Sequence, residues 1–117
     1  MLKKVLQRFF SLVGVTTVMV IDSEGRVIEE VGSDAMGSGK GQLAAVVSFL
    51  MAESGVMAIH LGQKSLSMVF VEFYDRCIIS VPLKEDYFLV FLTRPDANVG
   101  KIQYELKKNQ AQLLSLL

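Results

Sequence analysis

The residues with the most chemical promise lie between Gly32 and Gln42, where GSDAMGSGKGQ sets four glycines around Lys40, just ahead of an apolar run. A loop that cradles phosphate follows G-x-x-x-x-G-K-[ST]: its backbone amides surround the anion and its hydroxyl holds magnesium. Lys40 does follow Gly39, but Asp34 stands where the first glycine belongs and Gly41 where the hydroxyl belongs. Asp34 would also set a negative charge beside the anion. The stretch therefore reads as a strand-to-helix connection, with Ser38 as the N-cap of the next helix. Its glycines make it a mobile lead-in, and so a place where a partner could make contact.

The remaining reactive side chains are sparse. His60 is the only histidine and Cys77 the only cysteine, with no second ligand near either at metal spacing. The sequence leaves a His60–Cys77 dyad open, although two single residues are weak evidence for one. The ordinary reading makes His60 a surface or interface residue and Cys77 a small strand hydrophobe. Glu29–Glu30 and Glu85–Asp86 fall at a strand end and a turn, where solvation accounts for them. The sequence thus predicts no catalytic residues, no metal and no cofactor, and the protein reads as something other than an enzyme.

The elements that would position these residues follow from periodicity. Leu2, Val5, Leu6, Phe9 and Val13 recur at helical spacing, predicting a first helix that ends near Gly14. VTTVMVID and RVIEEV, joined through Asp-Ser-Glu-Gly, predict a hairpin with Gly25 in the turn. Then comes one long helix to about Leu61, running through Gly55 without a phase break and ended by Gly62. SLSMVFVEF, CIISVP and YFLVFLT predict three further strands. The last is apolar on both faces, so it is expected at the centre of the sheet under helices on each side. A final helix carries Val99, Ile102, Leu106 and Leu113 on one stripe, with Asp96 as its expected N-cap. The expected fold is α+β, an α/β sandwich in which a five-stranded antiparallel sheet has helices on both faces. Residues 1–117 are read as a single domain.

Composition narrows the function. Of 117 residues 51% are hydrophobic, and the mean hydropathy is +0.43. So small a chain has too little interior for all of that, and an exposed apolar patch calls for a partner. Twelve basic residues balance twelve acidic ones and look scattered, except for Lys3–Lys4 and Lys107–Lys108 on expected solvent faces, so charge gives no sign of nucleic acid or an anionic membrane. A lone cysteine fits a reducing compartment. MLKKVLQR followed by FFSLVGVTTVMVI has the outline of a signal peptide, but no small-x-small cleavage site follows it, and cleavage would remove a strand. No uninterrupted apolar run has the length of a membrane span. The expected location is the cytoplasm.

The middle helix is the informative element. Leu43, Val47, Leu50, Met57 and Leu61 make one apolar face, expected to lie on the sheet. Ala45, Phe49, Ala52, Val56 and Ile59, spaced four, three, four and three, form a second seam of the kind that packs helix on helix. A second copy of the same helix is its simplest cover, which gives a two-fold homodimer interface. Small Ala45 and Ala52 would allow close approach, with Phe49 as anchor.

GVTTVMVIDSEGRVIEE is similar to the opening hairpin of the roadblock/dynein light chain family. VPLKEDYFLVFLTRPDANVGKIQYEL resembles that family's closing pattern of Pro-Leu strand end, apolar strand and Ala-Asn-x-Gly entry into the last helix. The resemblance spans essentially the whole chain. It implies a dimer through the long helix and neighbouring strand, no catalytic residues, and a regulatory scaffold whose leading partner is a Ras-like small GTPase. A motor-complex adaptor, or a small-ligand sensor of PAS- or profilin-like shape, is the alternative. The glycine-rich 32–41 stretch is longer than a tight connection requires.

Overall fold

The computed structural model describes residues 1–32, 39–84 and 86–117. The proposed Ser38 cap and most of the glycine-rich stretch lie outside the described residues. Eight elements follow in the expected order: α1 (Leu2–Phe10), β1 (Val15–Asp22), β2 (Val27–Gly32), α2 (Gly39–His60), β3 (Val69–Glu72), β4 (Cys77–Lys84), β5 (Tyr87–Thr93) and α3 (Val99–Ser115). The strands form one antiparallel sheet in the order β2-β1-β5-β4-β3.

The sheet centre is where an all-apolar strand must go. β5 lies between β1 and β4, and its Leu89, Val90, Phe91 and Leu92 are buried on alternate faces. β1 is its neighbour, with Val18, Met19, Val20 and Ile21 fully buried. Of the run that resembled the core of a signal peptide, the first residues end α1 and the stretch from Val15 on is an interior strand.

α1 and α3 share one face of the sheet. Val5, Leu6 and Phe9 of α1 and Ile102 and Leu113 of α3 pack there on Val18, Val20, Ile79, Leu89 and Phe91. The Phe9 and Phe91 rings meet edge-on with centroids 5.5 Å apart. Arg8 Nη1 ties the helices together by donating to Asn109 Oδ1 at 3.2 Å and Gln112 Oε1 at 3.0 Å. α2 lies alone on the opposite face, over Met19, Ile21 and Val90.

Several boundaries differ from expectation for local reasons. α1 stops at Phe10, where Ser11 Oγ donates to the Arg8 carbonyl, and Val13 is left exposed beyond the end. Gly14 then turns the chain at φ 88°, packed so closely on Ala97 that a Cβ would clash. The N-cap of α3 is Asn98, whose side chain accepts from the Lys101 N–H at 3.0 Å. Asp96 instead takes the Arg94 guanidinium at 3.2 Å. Of SLSMVFVEF only Val69–Glu72 pairs as a strand. Gly55 sits inside α2, and Gly62, at φ 70°, follows the helix end as expected.

Candidate functional site

The site is built on α2, which has 22 residues and is apolar around most of its circumference. An 18-residue window of it reaches a mean hydropathy of 1.7, so by length and composition alone it could cross a membrane. A third of that window is buried inside the fold. The face it lays on the sheet is made of Ala44, Val47, Ser48, Met51, Ser54 and Ala58. This corrects the expected assignment: of that face only Val47 is fully buried. Leu43 and Leu50 are half-buried, while Met57 and Leu61 are exposed. Small side chains line the contact because they let the helix sit close to the sheet. Ser48 Oγ anchors it there, donating to the Ser23 carbonyl at 2.6 Å.

The five predicted seam residues, Ala45, Phe49, Ala52, Val56 and Ile59, are all exposed on this chain. At 100° per residue they occupy one shoulder of the solvent side. Val46, Met57 and Leu61 form the other shoulder, with Gln42, Glu53 and His60 between the two. Phe49 is 68% exposed, Ile59 73% and Leu61 73%, values that a chain burying its own hydrophobics does not produce along one helix. The sequence reading missed the second shoulder because it assigned Met57 and Leu61 to the sheet. Phe73, 53% exposed, adds to the apolar surface near the start of the helix, where it lines a groove of about 250 Å³ with Leu43, Ile78 and Leu92.

The reactive residues do not converge. Lys40 lies in the first turn of α2 with its ammonium on Glu30 of β2, so a carboxylate holds the group that a phosphate loop would offer to an anion. A Cβ at Gly39 or Gly41 would meet nothing within 4 Å among the described residues, so packing on those residues does not require either glycine. His60 is exposed at the end of α2, and Cys77 is buried at the start of β4. Among the described residues no group of His, Cys, Asp or Glu could hold a metal ion.

The best-organised polar feature is the β1–β2 turn beside α2. Asp22, nearly buried, accepts at Oδ1 from the Glu24 and Arg26 N–H groups, each at 2.9 Å, and at Oδ2 from Arg26 Nε at 2.6 Å. The Arg26 backbone N–H, then the Arg26 side chain and the Glu24 N–H, outweigh burial and hold the carboxyl below its ordinary range. This is the chemistry of a fixed turn, and it presents the surface to which α2 is tied.

Solved structures share this fold. Myxococcus xanthus MglB superposes with a TM-score of 0.87 at 18% identity, covering 98% of this chain and 93% of that one. The gliding protein mglB of Thermus thermophilus gives 0.85 at 19% identity, covering 97% and 86%. A Roadblock/LC7 domain from Streptomyces avermitilis gives 0.81 at 18%, covering 97% and 91%. At such identities the likeness establishes the fold. No curated protein matches the chain by sequence. The family model of the Roadblock/LC7 domain matches residues 1–93, most of the chain, and the protein belongs to that family, whose members are regulatory or adaptor proteins.

Proposed function

We propose that the chain is a non-catalytic, dimeric regulatory scaffold that binds or modulates a Ras-like small GTPase in the cytoplasm. The observation that carries the reading is the outer face of α2. The sheet covers one side of this helix, and on the rest two shoulders of exposed hydrophobic side chains flank a narrow polar strip of Gln42, Glu53 and His60 and call for a cover of their own. A second copy meeting it across a two-fold axis would bury Ala45, Phe49, Ala52, Val56 and Ile59 on one shoulder and Val46, Met57 and Leu61 on the other. One relative's structure is described as MglB with a tetrameric arrangement, which supports self-association as a habit of the fold. Family membership supports the regulatory role in small-GTPase systems, and MglB and MglC are among the similar structures.

Sedimentation velocity at micromolar protein tests the dimer. Phe49→Glu on one shoulder and Met57→Glu on the other are expected to lower the sedimentation coefficient to that of a monomer without loss of helical circular dichroism. Unchanged sedimentation in both variants rejects the interface. The partner is tested separately, by titrating the wild-type dimer with Ras-like GTPases of the same cell in their GDP- and GTP-loaded forms. No binding and no change in hydrolysis with any of them rejects the GTPase reading.

A further inference from the structure

The neutrality of the chain conceals a division of charge that the fold makes. α1 and α3, side by side on one face of the sheet, carry Lys3, Lys4, Arg8, Lys101, Lys107 and Lys108 against Glu105 alone, a balance of +5. The rest of the chain carries −5, since the total is zero. The basic residues that look scattered in the sequence are gathered by the fold. All six are exposed. Arg8 bonds only to neutral amides, and Lys101 lies over the Tyr104 ring at 5.8 Å. Among the described residues, none of the five lysines is in an ion pair. Glu29 and Glu72, whose registers opposite Val20 and Cys77 turn them to this side, sit out on the two edge strands. With them counted the face remains at +3.

Beside α3 the helical layer stops short of the sheet edge and leaves a groove of about 410 Å³. Met68, Val81 and Leu106 supply apolar walls, while Gln103, Lys107 and Gln110, at i, i+4 and i+7 of α3, supply a polar rim. Phe70, 46% exposed and paired with Ile79, turns to the same side and continues the apolar strip along β3. A groove of this size accepts one or two apolar side chains. The neighbouring ammonium groups favour carboxylates around them.

We propose that this face docks an acidic, amphipathic segment of a partner protein, with an apolar side chain in the groove and its carboxylates over Lys107 and the other lysines of α1 and α3. Charge and cavity together favour such a segment over a membrane, because a bilayer would meet the lysines and leave the groove empty. The face lies across the sheet from α2, so pairing through the outer face of α2 alone leaves it open. The chain would then present two independent surfaces.

The test uses the full-length, isotope-labelled protein and a synthetic helical peptide of glutamate and leucine, with leucines at three- and four-residue spacing. A lysine-for-glutamate version of the peptide and phosphatidylserine-containing vesicles serve as alternative ligands. The glutamate peptide is expected to shift amide resonances at Leu66–Met68 and along Gln103–Gln110. Lys107→Glu/Lys108→Glu, two exposed positions, is expected to weaken binding about tenfold with an unchanged melting temperature. Glu53→Gln, at an exposed position on α2 across the sheet from this face, is expected to bind as wild type. Shifts confined to α2, equal affinity in the double variant, equal binding of the lysine peptide, or binding to vesicles without binding to the peptide would each overturn the proposal.

Discussion

Gly25, at the tip of the β1–β2 hairpin, lies so close to Ala45 of α2 that a Cβ built on the glycine would stand 2.7 Å from the Ala45 Cα. The same glycine holds φ at 83°, a conformation that side chains disfavour. The hairpin turn is thus the seat of the first turns of α2, and the Ser48 hydroxyl on the Ser23 carbonyl fixes the contact. The helix offered for dimerisation owes its position to a turn that it does not pair with as a strand would.

Gly25→Ala is therefore expected to destabilise the fold by about 1–3 kcal/mol, through backbone strain at positive φ together with the clash. Urea denaturation measures the loss. A displaced α2 should also weaken self-association, so the monomer fraction in sedimentation should rise at fixed protein concentration. A denaturation midpoint equal to wild type would show that the turn adapts without strain.

Asp22 makes the same turn sensitive to acid. Its carboxyl is held below the ordinary aspartate value by hydrogen bonds from Arg26 and Glu24, so the folded state binds its proton less readily than the unfolded state. The stabilisation is fully present above the unfolded value of about 4 and is lost as pH falls through the lower folded value. Asp22→Asn removes this titration. Its urea midpoint should lie below that of wild type at neutral pH, and the difference should shrink steadily on acidification below about pH 4. Parallel curves for the two proteins across that range would overturn the assignment.

These residues show what the sequence makes legible. VTTVMVID is a strand from its β-branched residues, and YFLVFLT is central because both faces are apolar; the structure bears out both. Hydropathy oriented α2 poorly, because apolar side chains surround all but the narrow strip of Gln42, Glu53 and His60. Ala44, Ser48, Ser54 and Ala58 are chosen for size, which hydropathy does not weigh. Asn98 prevailed over Asp96 as cap because the helix begins at Val99, a boundary that two polar candidates two residues apart leave open. Lys3–Lys4 and Lys107–Lys108 are legible as solvent-facing pairs, but not as one basic face, because they come from opposite ends of the chain and meet only through packing on the sheet.

Ser80 offers a test of the packing beneath α2. It lies fully buried on β4, opposite Val90 of β5 and Val69 of β3, and its Oγ has no hydrogen-bond partner among the described residues. A buried hydroxyl without a partner costs roughly 1–3 kcal/mol of desolvation, while its removal leaves only a small void. Ser80→Ala should raise the denaturation midpoint, by a free energy of up to about 1 kcal/mol once the lost packing is subtracted. A fall of similar size would mean that the hydroxyl is bonded in solution.

Lys40 returns the question to the glycine-rich stretch. Its ammonium meets Glu30, and both side chains are about one-third exposed, so the pair joins the start of α2 to edge strand β2 across a partly solvated gap. Pairs in such settings contribute about 0.2–1 kcal/mol, less at high salt. Lys40→Ala should lower stability by that amount in dilute buffer and by less at molar salt. A phosphate-binding lysine would behave differently, with wild type binding ATP or GTP tightly and the variant losing that binding. Calorimetry with both nucleotides and magnesium is expected to show no binding to either protein. Tight binding to wild type alone would restore a nucleotide site and overturn the structural role assigned to the Lys40–Glu30 pair.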